Sequence, residues 1–283
     1  MTISTTPART DSQNTAGTGR TPWTDRWLIA LLGASVVGVI LQITLGGVVR
    51  VTGSGDGCPD WPQCFGRWIP PAEYHAILEW SHRTTGTIVG IIIIIAIARV
   101  LTRYRSHRPL LSLTLSGLVL IAIVGWIGGR VVLNDLDPAI RTLHLGLAEI
   151  VLLLQIGALA VAAIPLATRT FSLQATAEGK LVFKLATVAA VISLIALLSG
   201  AYAVWKHAGS VCGSWPLCGG PIIPEVELMQ IHMLHRVAAG VGVIVAAYAA
   251  HKAFRLPGAT NLLKTAALTV AITLAAQVLM GAL

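Results

Sequence analysis

Charged residues are scarce in this sequence, and their scarcity excludes most soluble folds. Only 11% of the 283 residues are charged, while 55% are hydrophobic and the mean hydropathy is +0.77. A soluble helical bundle needs polar faces on its outer helices, and segments such as GTIVGIIIIIAIARV and ALTVAITLAAQVLMGAL have none. The apolar residues are also spread too evenly for a single membrane anchor. The composition therefore indicates a polytopic membrane protein.

Seven apolar runs are long enough to cross a bilayer as helices. They predict an all-α fold, a polytopic membrane helical bundle. Residues 1–25 are rich in Thr, Ser, Gly and Arg, without apolar periodicity, and we expect a disordered cytoplasmic tail there. The first run exceeds a signal-peptide core, so it is expected to remain as a helix. The spans are predicted at 27–49, 80–101, 110–133, 141–164, 181–204, 231–252 and 262–283.

Acidic residues are also few: 12 Asp and Glu stand against 20 Lys and Arg, giving a net charge of +8. Such a charge can attract nucleic acid, but the positions of the cations argue against that partner. If the N-terminus is cytoplasmic, most Lys and Arg fall in segments on the cytoplasmic side, whereas most acids fall outside. This positive-inside bias predicts a multi-pass cell-membrane protein with a cytoplasmic N-terminus, whose partners include the lipid bilayer.

Cysteine is rare, with four residues that form two C-x5-C pairs. This spacing is wider than the usual zinc-ligand spacing, which argues against a zinc site. Both pairs fall in loops on the predicted outer face, an oxidising compartment, so we expect the disulfides Cys58–Cys64 and Cys212–Cys218. Two roles stay open for each bond: a structural staple of its loop, or redox exchange with a partner or substrate.

The cysteine loops belong to a longer pattern that occurs twice. The first copy, residues 46–86, reads GGVVRVTGSGDGCPDWPQCFGRWIPPAEYHAILEWSHRTTG; the second contains SGAYAVWKHAGSVCGSWPLCGG and then QIHMLHRVAAG. His82 corresponds to His235, whereas Glu79 is replaced by His232. We therefore predict a tandem repeat of four-helix units that share one frame and differ in chemistry.

The repeat also predicts how the chain is divided. The expected segments are an N-terminal repeat at 26–164, a cytoplasmic linker at 165–180 and a C-terminal repeat at 181–283. A counterpart of His144 at the repeat offset would fall beyond Leu283. The expectation is therefore seven helices of a frame of eight, with the last helix of the second repeat lacking.

Three ionisable side chains at one end of the predicted helices form a candidate site. Glu79 and His82 are three residues apart and share a helix face. His144 lies at a matching depth on the fourth helix, and helices two apart can face each other across a bundle, which suits a haem iron bound by two imidazoles. Ionisable groups inside a membrane usually have a partner or a function. Alternatively, Glu79 is an interfacial residue that suits the helix dipole, and Glu149 is either a buried polar residue or orients a ligand histidine.

These stretches resemble the haem A synthase family of cytochrome oxidase assembly proteins. The resemblance rests on VRVTGSGDGCPDWPQCFG, EWSHRTTG, GGRVV followed by RTLHLGLAE, and MLHRVAAG, and it covers almost all of residues 27–283. It implies oxidation of the C8 methyl of haem O to a formyl group for terminal oxidase assembly, with oxygen from water. It also implies a membrane electron acceptor, for which a quinone is expected, and haem O synthase is a candidate partner.

By the same resemblance, His82 and His144 flank the haem at which the substrate reacts, and Glu79 is the carboxylate beside it. His235 is implied to be an axial ligand of a haem b cofactor in the second half. We expect Glu79, His82 and His144 to be catalytic, with Glu79 accepting a proton or stabilising positive charge. Arg83 or Arg50 is expected to pair with haem propionates, while Arg83 alternatively binds a lipid phosphate.

Two other functions would use some of the same residues. A b-type haem electron carrier would need the histidines but not Glu79 or a pocket that a loop can cover. A quinone-linked disulfide oxidase would use the outer cysteines without haem, and the repeated histidines argue against it.

Overall fold

A computed structural model of the protein describes residues 21–164, 176–221 and 223–282. Most of the predicted tail (1–25) and of the predicted linker (165–180) lies outside these residues. At the start of the described part, Pro22–Thr24 forms a 3-10 turn that leads directly into the first membrane helix.

The described residues form seven α-helices and no β-strand, which confirms the predicted all-α bundle. All seven helices are long and apolar enough to cross a membrane. All seven begin before the predicted residue, and two of these earlier starts are capped by polar residues: Glu73 accepts a hydrogen bond from Ala76 N at 2.8 Å, and Thr176 accepts one from Gly179 N at 3.0 Å. The helices are α1 (Arg26–Val51), α2 (Tyr74–Arg103), α3 (Arg108–Leu133), α4 (Pro138–Ala163), α5 (Ala177–Trp205), α6 (Glu227–Arg255) and α7 (Asn261–Ala282).

The first four helices form a closed ring. α1 packs against α2 and α4, and α3 packs against the same two helices, so α2 and α4 are diagonal partners across the core. A second row of helices follows: α4 contacts α5, α5 packs on α6, and α6 packs on α7. The loops 52–73 and 206–226 emerge at one end, called here the cysteine-loop end. This topology places side chains of α2 and α4 on opposite sides of the core of these four helices.

A polar contact joins helices of the ring inside its apolar core. The Ser35 hydroxyl of α1 donates to the Gln155 side-chain oxygen of α4 at 3.0 Å, and both residues are buried. Gly117 lets α3 approach the same amide, since a Cβ atom there would lie 2.4 Å from the Gln155 nitrogen. Small residues and hydrogen bonds of this kind stabilise helix packing where lipid gives no hydrophobic drive.

A buried carboxylate ties α1 to α2 at the opposite end of the bundle. Asp25 accepts hydrogen bonds from Leu28 N at 3.1 Å, from the Arg99 guanidinium at 2.7–3.0 Å and from the Tyr104 hydroxyl at 2.9 Å. Burial raises the pKa of Asp25, but the hydrogen bonds from Arg99, Leu28 and Tyr104 lower it by more. The net pKa is about 2, below the ordinary value of 3.8. The ionised carboxylate therefore favours the folded state.

Replacement of this carboxylate should destabilise the protein in a pH-dependent way. Because its folded pKa of about 2 lies below the ordinary 3.8, the stabilisation is complete above pH 3.8 and is lost as the pH falls through the folded value. We expect Asp25→Asn to lower the melting temperature of the detergent-solubilised protein at neutral pH, and the difference from wild type to shrink in acid. Glu178→Gln, which removes an exposed acid in the first turn of α5, is the control. A deficit that is independent of pH would contradict this account.

Candidate functional site

Both cysteine pairs are disulfides, as predicted. The Cα atoms of Cys58 and Cys64 are 4.7 Å apart, and those of Cys212 and Cys218 are 4.6 Å apart. The first bond is buried against Ala76 of α2, whereas the second is half-buried. Each loop is therefore closed by its own disulfide, and the first loop is packed more closely onto its helix.

Arg83 holds the first cysteine loop on α2. Its terminal nitrogens donate to the carbonyl oxygens of Asp60 and Gln63 at 2.7 Å and of Cys58 at 3.1 Å. It also forms a salt bridge of 2.6 Å with Glu79. Both terminal nitrogens are engaged, which contradicts the expectation that Arg83 pairs with a propionate or a lipid phosphate.

The second half repeats this arrangement without the carboxylate. Arg236 donates to the carbonyl oxygens of Ser214 at 2.6 Å, Pro216 at 3.1 Å and Leu217 at 3.2 Å. His232, which replaces Glu79, bonds through Nδ1 to the Ala208 carbonyl at 2.7 Å. In each half, the arginine that directly follows the repeated histidine holds the cysteine loop by binding backbone oxygens of that loop.

Glu79 is buried, with 4% of its surface exposed. One carboxylate oxygen accepts from Cys58 N at 2.8 Å, and the other accepts from Arg83. The side chain therefore lies between the disulfide loop and α2, three residues before His82. A buried carboxylate at this position holds the loop closed and places negative charge near the imidazole.

His82 packs against α1. A Cβ atom on Gly46 would lie 3.0 Å from Cε1 of the imidazole, so a larger residue there would press on the ring. The Gln42 side-chain nitrogen lies 3.1 Å from His82 Nδ1 and donates to the His82 carbonyl at 2.9 Å. These contacts fix the ring on the inner side of α2.

His144 packs against α3 in the same manner. A Cβ atom on Gly128 would lie 3.0 Å from its Cε1 atom. Its Nδ1 atom is buried and makes no hydrogen bond of ordinary geometry within the described residues. The structure thus places the two predicted histidines on diagonal helices of one four-helix ring, each with its imidazole against a glycine of a neighbouring helix. Imidazoles from two sides of a bundle core suit a planar group with an iron atom between them.

His235, in the second half, also packs its imidazole against a glycine. A Cβ atom on Gly200 would lie 2.7 Å from its Cε1 atom, and its Nδ1 lies 3.0 Å from the Ala196 carbonyl. When Nδ1 carries the proton and donates to that carbonyl, Nε2 is left for a metal. The site therefore fits a haem iron with one axial imidazole from α6, while His232 is engaged with the loop.

Sequence reasoning missed the glycines that receive these rings and missed Gln42. Gly46 and Gly200 hold matching places in the two copies, which is a signal that the alignment of the repeats could have shown. Gln42 aligns with Ala196, so the partner of the histidine differs between the halves. Glu149 makes no hydrogen bond or ion pair in the part of the chain that the structure describes, so it does not orient a histidine there.

Comparison with known proteins gives a consistent result. The family model described as cytochrome oxidase assembly protein matches residues 26–283. The chain is similar to the heme A synthase of Shouchella clausii (strain KSM-K16), with 30% identity over 221 residues, covering 72% of this chain and 68% of the relative. It is 32% identical to the heme A synthase of Alkalihalophilus pseudofirmus over 212 residues, covering 71% and 68%. It is 29% identical to that of Symbiobacterium thermophilum over 260 residues, covering 88% and 83%.

Loss of the Arg83 side chain should loosen the first cysteine loop. We expect Arg83→Gln to raise the rate at which dithiothreitol reduces Cys58–Cys64 several-fold, because the loop then opens more often and exposes the buried sulfur atoms. The rate is measured by thiol labelling and peptide mass spectrometry, with Cys212–Cys218 as the internal reference.

Arg67→Gln is the matched control for this experiment, because Arg67 lies in the same loop with an exposed side chain and pairs with Cys64 only through its backbone. Equal reduction rates for Arg83→Gln and Arg67→Gln would contradict the assignment of Arg83 to the loop.

Proposed function

The chain belongs to the cytochrome oxidase assembly protein family, and on that premise we propose that it produces haem A from haem O in the membrane. The relatives named heme A synthase support this activity. The observation that carries it in this structure is the pair His82 and His144, held on diagonal helices with a glycine against each ring. The reaction oxidises the C8 methyl group of haem O to a formyl group, with the oxygen atom taken from water.

His82 and His144 bind the iron of haem O from its two sides. Two axial imidazoles fix the plane of the porphyrin along the bundle, and the apolar helices bury its faces. Binding by both histidines positions the methyl group relative to the protein without any contact to the methyl itself. The role of each histidine in catalysis is thus to hold the substrate.

Glu79 accepts the protons that leave as the methyl carbon is oxidised. It lies about one helical turn from His82 on the same face of α2, and it is a buried carboxylate at the cysteine-loop end. A negative charge there also stabilises positive charge that develops on the carbon. The salt bridge to Arg83 offsets part of the cost of burying this carboxylate.

His235 binds a haem b cofactor in the second half. Its Nδ1 contact with Ala196 and its position against Gly200 support this role. A bound haem b supplies one-electron transfer between the substrate and an acceptor. The electrons pass to a membrane acceptor, for which a quinone fits by its solubility in lipid.

The two halves correspond to residues 26–164 and 181–283, joined by the cytoplasmic linker 165–180 after an N-terminal cytoplasmic tail. The distribution of Lys and Arg supports this orientation, with the cysteine-loop end outside the cell. Haem O reaches the site from the membrane, and an enzyme that makes haem O is a natural partner.

Two variants separate the chemistry of Glu79 from its contact with the loop. Glu79→Gln and Arg83→Gln both break the salt bridge, but only Glu79→Gln removes the carboxylate. We expect Glu79→Gln to lower haem A formation about 100-fold, and Arg83→Gln to lower it much less. Haem A is measured by pigment extraction from membranes of cells that also make haem O, with the protein level determined in parallel.

Equal losses in the two variants would show that Glu79 acts only by holding the loop. Normal conversion in Glu79→Gln and in His144→Ala would overturn the proposed function.

A further inference from the structure

Two arginines and a tryptophan from three helices meet at the cysteine-loop end, beyond the histidine pair. The guanidinium carbon of Arg141, on α4, lies 4.3 Å from the centre of the Trp205 ring, and that of Arg50, on α1, lies 5.6 Å from it. Trp205 is the last residue of α5. Cation–π contacts therefore hold two positive charges at the junction between the first four helices and the second half.

These charges have no carboxylate partner. Within the described residues, the ion pairs are Arg83–Glu79 and Arg99–Asp25, and neither involves Arg50 or Arg141. Arg141 donates through Nε to the Leu136 carbonyl, and its two terminal nitrogens make no hydrogen bond to the residues that the structure describes.

Two acidic side chains, Asp56 and Asp137, offset part of the charge of Arg141, but neither forms an ion pair with it in the described residues. Two guanidinium groups that share one indole repel each other unless an anion lies close to both. The cluster therefore favours a bound anion.

Trp205 adds an unused hydrogen-bond donor. Its indole Nε1 atom is buried and has no hydrogen-bond partner in the described part of the chain. A buried donor without an acceptor is costly, so such a group in a native structure calls for an explanation. An oxygen-bearing anion would satisfy the indole and the free arginine nitrogens together.

The position of the cluster relative to His82 and His144 indicates which anion it binds. Gly46 of α1 contacts His82. Arg50 lies farther along the same helix by one turn, about 6 Å. Arg141 precedes His144 by about the same turn, and the helices that carry the two arginines pack against each other. Both charges thus lie one turn beyond the histidine pair, on one side of the bundle.

We propose that Arg50, Arg141 and Trp205 form a receptor for the propionate carboxylates of the tetrapyrrole substrate. This inference rests on the proposed function, since it places the substrate between His82 and His144. The two propionates of a haem leave the same edge of the ring, and guanidinium groups match carboxylates in geometry. The receptor thereby sets which edge of the porphyrin faces the cysteine-loop end, and so which methyl group lies near Glu79.

A phospholipid phosphate offers the same chemistry to an arginine at a membrane interface. The exposed side chain of Arg50 alone would suit it. The half-buried Arg141 and the buried indole nitrogen favour a ligand that enters the bundle.

The test compares a haem that has free propionates with one whose propionates are esterified. Protohaem and protohaem dimethyl ester are titrated into the full-length His235→Ala protein, and binding is followed by the Soret band, so that only the first half is observed. We expect the diacid to bind at least about tenfold more tightly than the ester, as one charge-assisted interaction provides. Arg50→Gln and Arg141→Gln should each weaken binding of the diacid and leave binding of the ester unchanged.

Arg130→Gln is the control, because Arg130 lies at the same end of α3 and its exposed side chain hydrogen-bonds Asn134. Arg141→Lys, which keeps the charge, should retain part of the preference for the diacid. Equal weakening of both ligands in the arginine variants, or no preference in the parent protein, would overturn the proposal.

A lipid role gives a different pattern. If the arginines bind a phospholipid phosphate, the variants lose bound lipid, measured by native mass spectrometry in phosphatidylglycerol nanodiscs, and keep the diacid preference; this result overturns the proposal. The same measurements distinguish failure of the proposed function. A protein that prefers the diacid but converts no haem O would support the receptor and contradict the proposed activity. A protein that converts haem O but shows no preference for the diacid would contradict the receptor alone.

Discussion

The Arg83 guanidinium is the contact that holds the first cysteine loop on α2. It donates to three carbonyl oxygens of the first cysteine loop and to the buried carboxylate of Glu79. A planar group with several donors can organise a loop that has little regular structure of its own. Because the same loop is closed by Cys58–Cys64 and bonded through Cys58 N to Glu79, Arg83 and Glu79 together fix the loop beside the helix that carries His82.

The sequence pattern that occurs twice accounts for the similar loop contacts in the two halves. Arg236 holds the second loop as Arg83 holds the first, and a glycine receives the histidine ring in each half. In the described residues, the first half has the buried carboxylate Glu79 and a second histidine, His144, on the diagonal helix. In the second half, His232 binds a backbone carbonyl through its ring. A shared scaffold therefore supports substrate chemistry in one half and, we propose, electron transfer in the other.

The sequence predicted what depends on long apolar runs and on repeated motifs. The seven helices and both disulfides follow from length and spacing, and His82 and His144 lie on the diagonal helices that the topology predicts. Helix ends were less accurate, since α2 begins at Tyr74 through a cap by Glu73, six residues before the apolar run. A cap inside a polar loop leaves little trace in hydropathy.

The partners of the arginines were beyond sequence reasoning for a physical reason. Arg83 binds backbone oxygens, which every residue has, so no residue type marks them. Arg50, Arg141 and Trp205 come from three helices, and only the packing of α4 on α5 brings them together. Gly46 and Gly128 are ordinary membrane-helix glycines until the structure shows an imidazole against each.

The central claim is that His82 and His144 both bind the iron of the substrate. The most direct measurement is the electron paramagnetic resonance spectrum of ferric haem O bound to the His235→Ala protein, which removes the proposed haem ligand of the second half. The account predicts a low-spin spectrum typical of two imidazole ligands, which either His82→Ala or His144→Ala converts to high spin. A low-spin spectrum that survives both substitutions would contradict it.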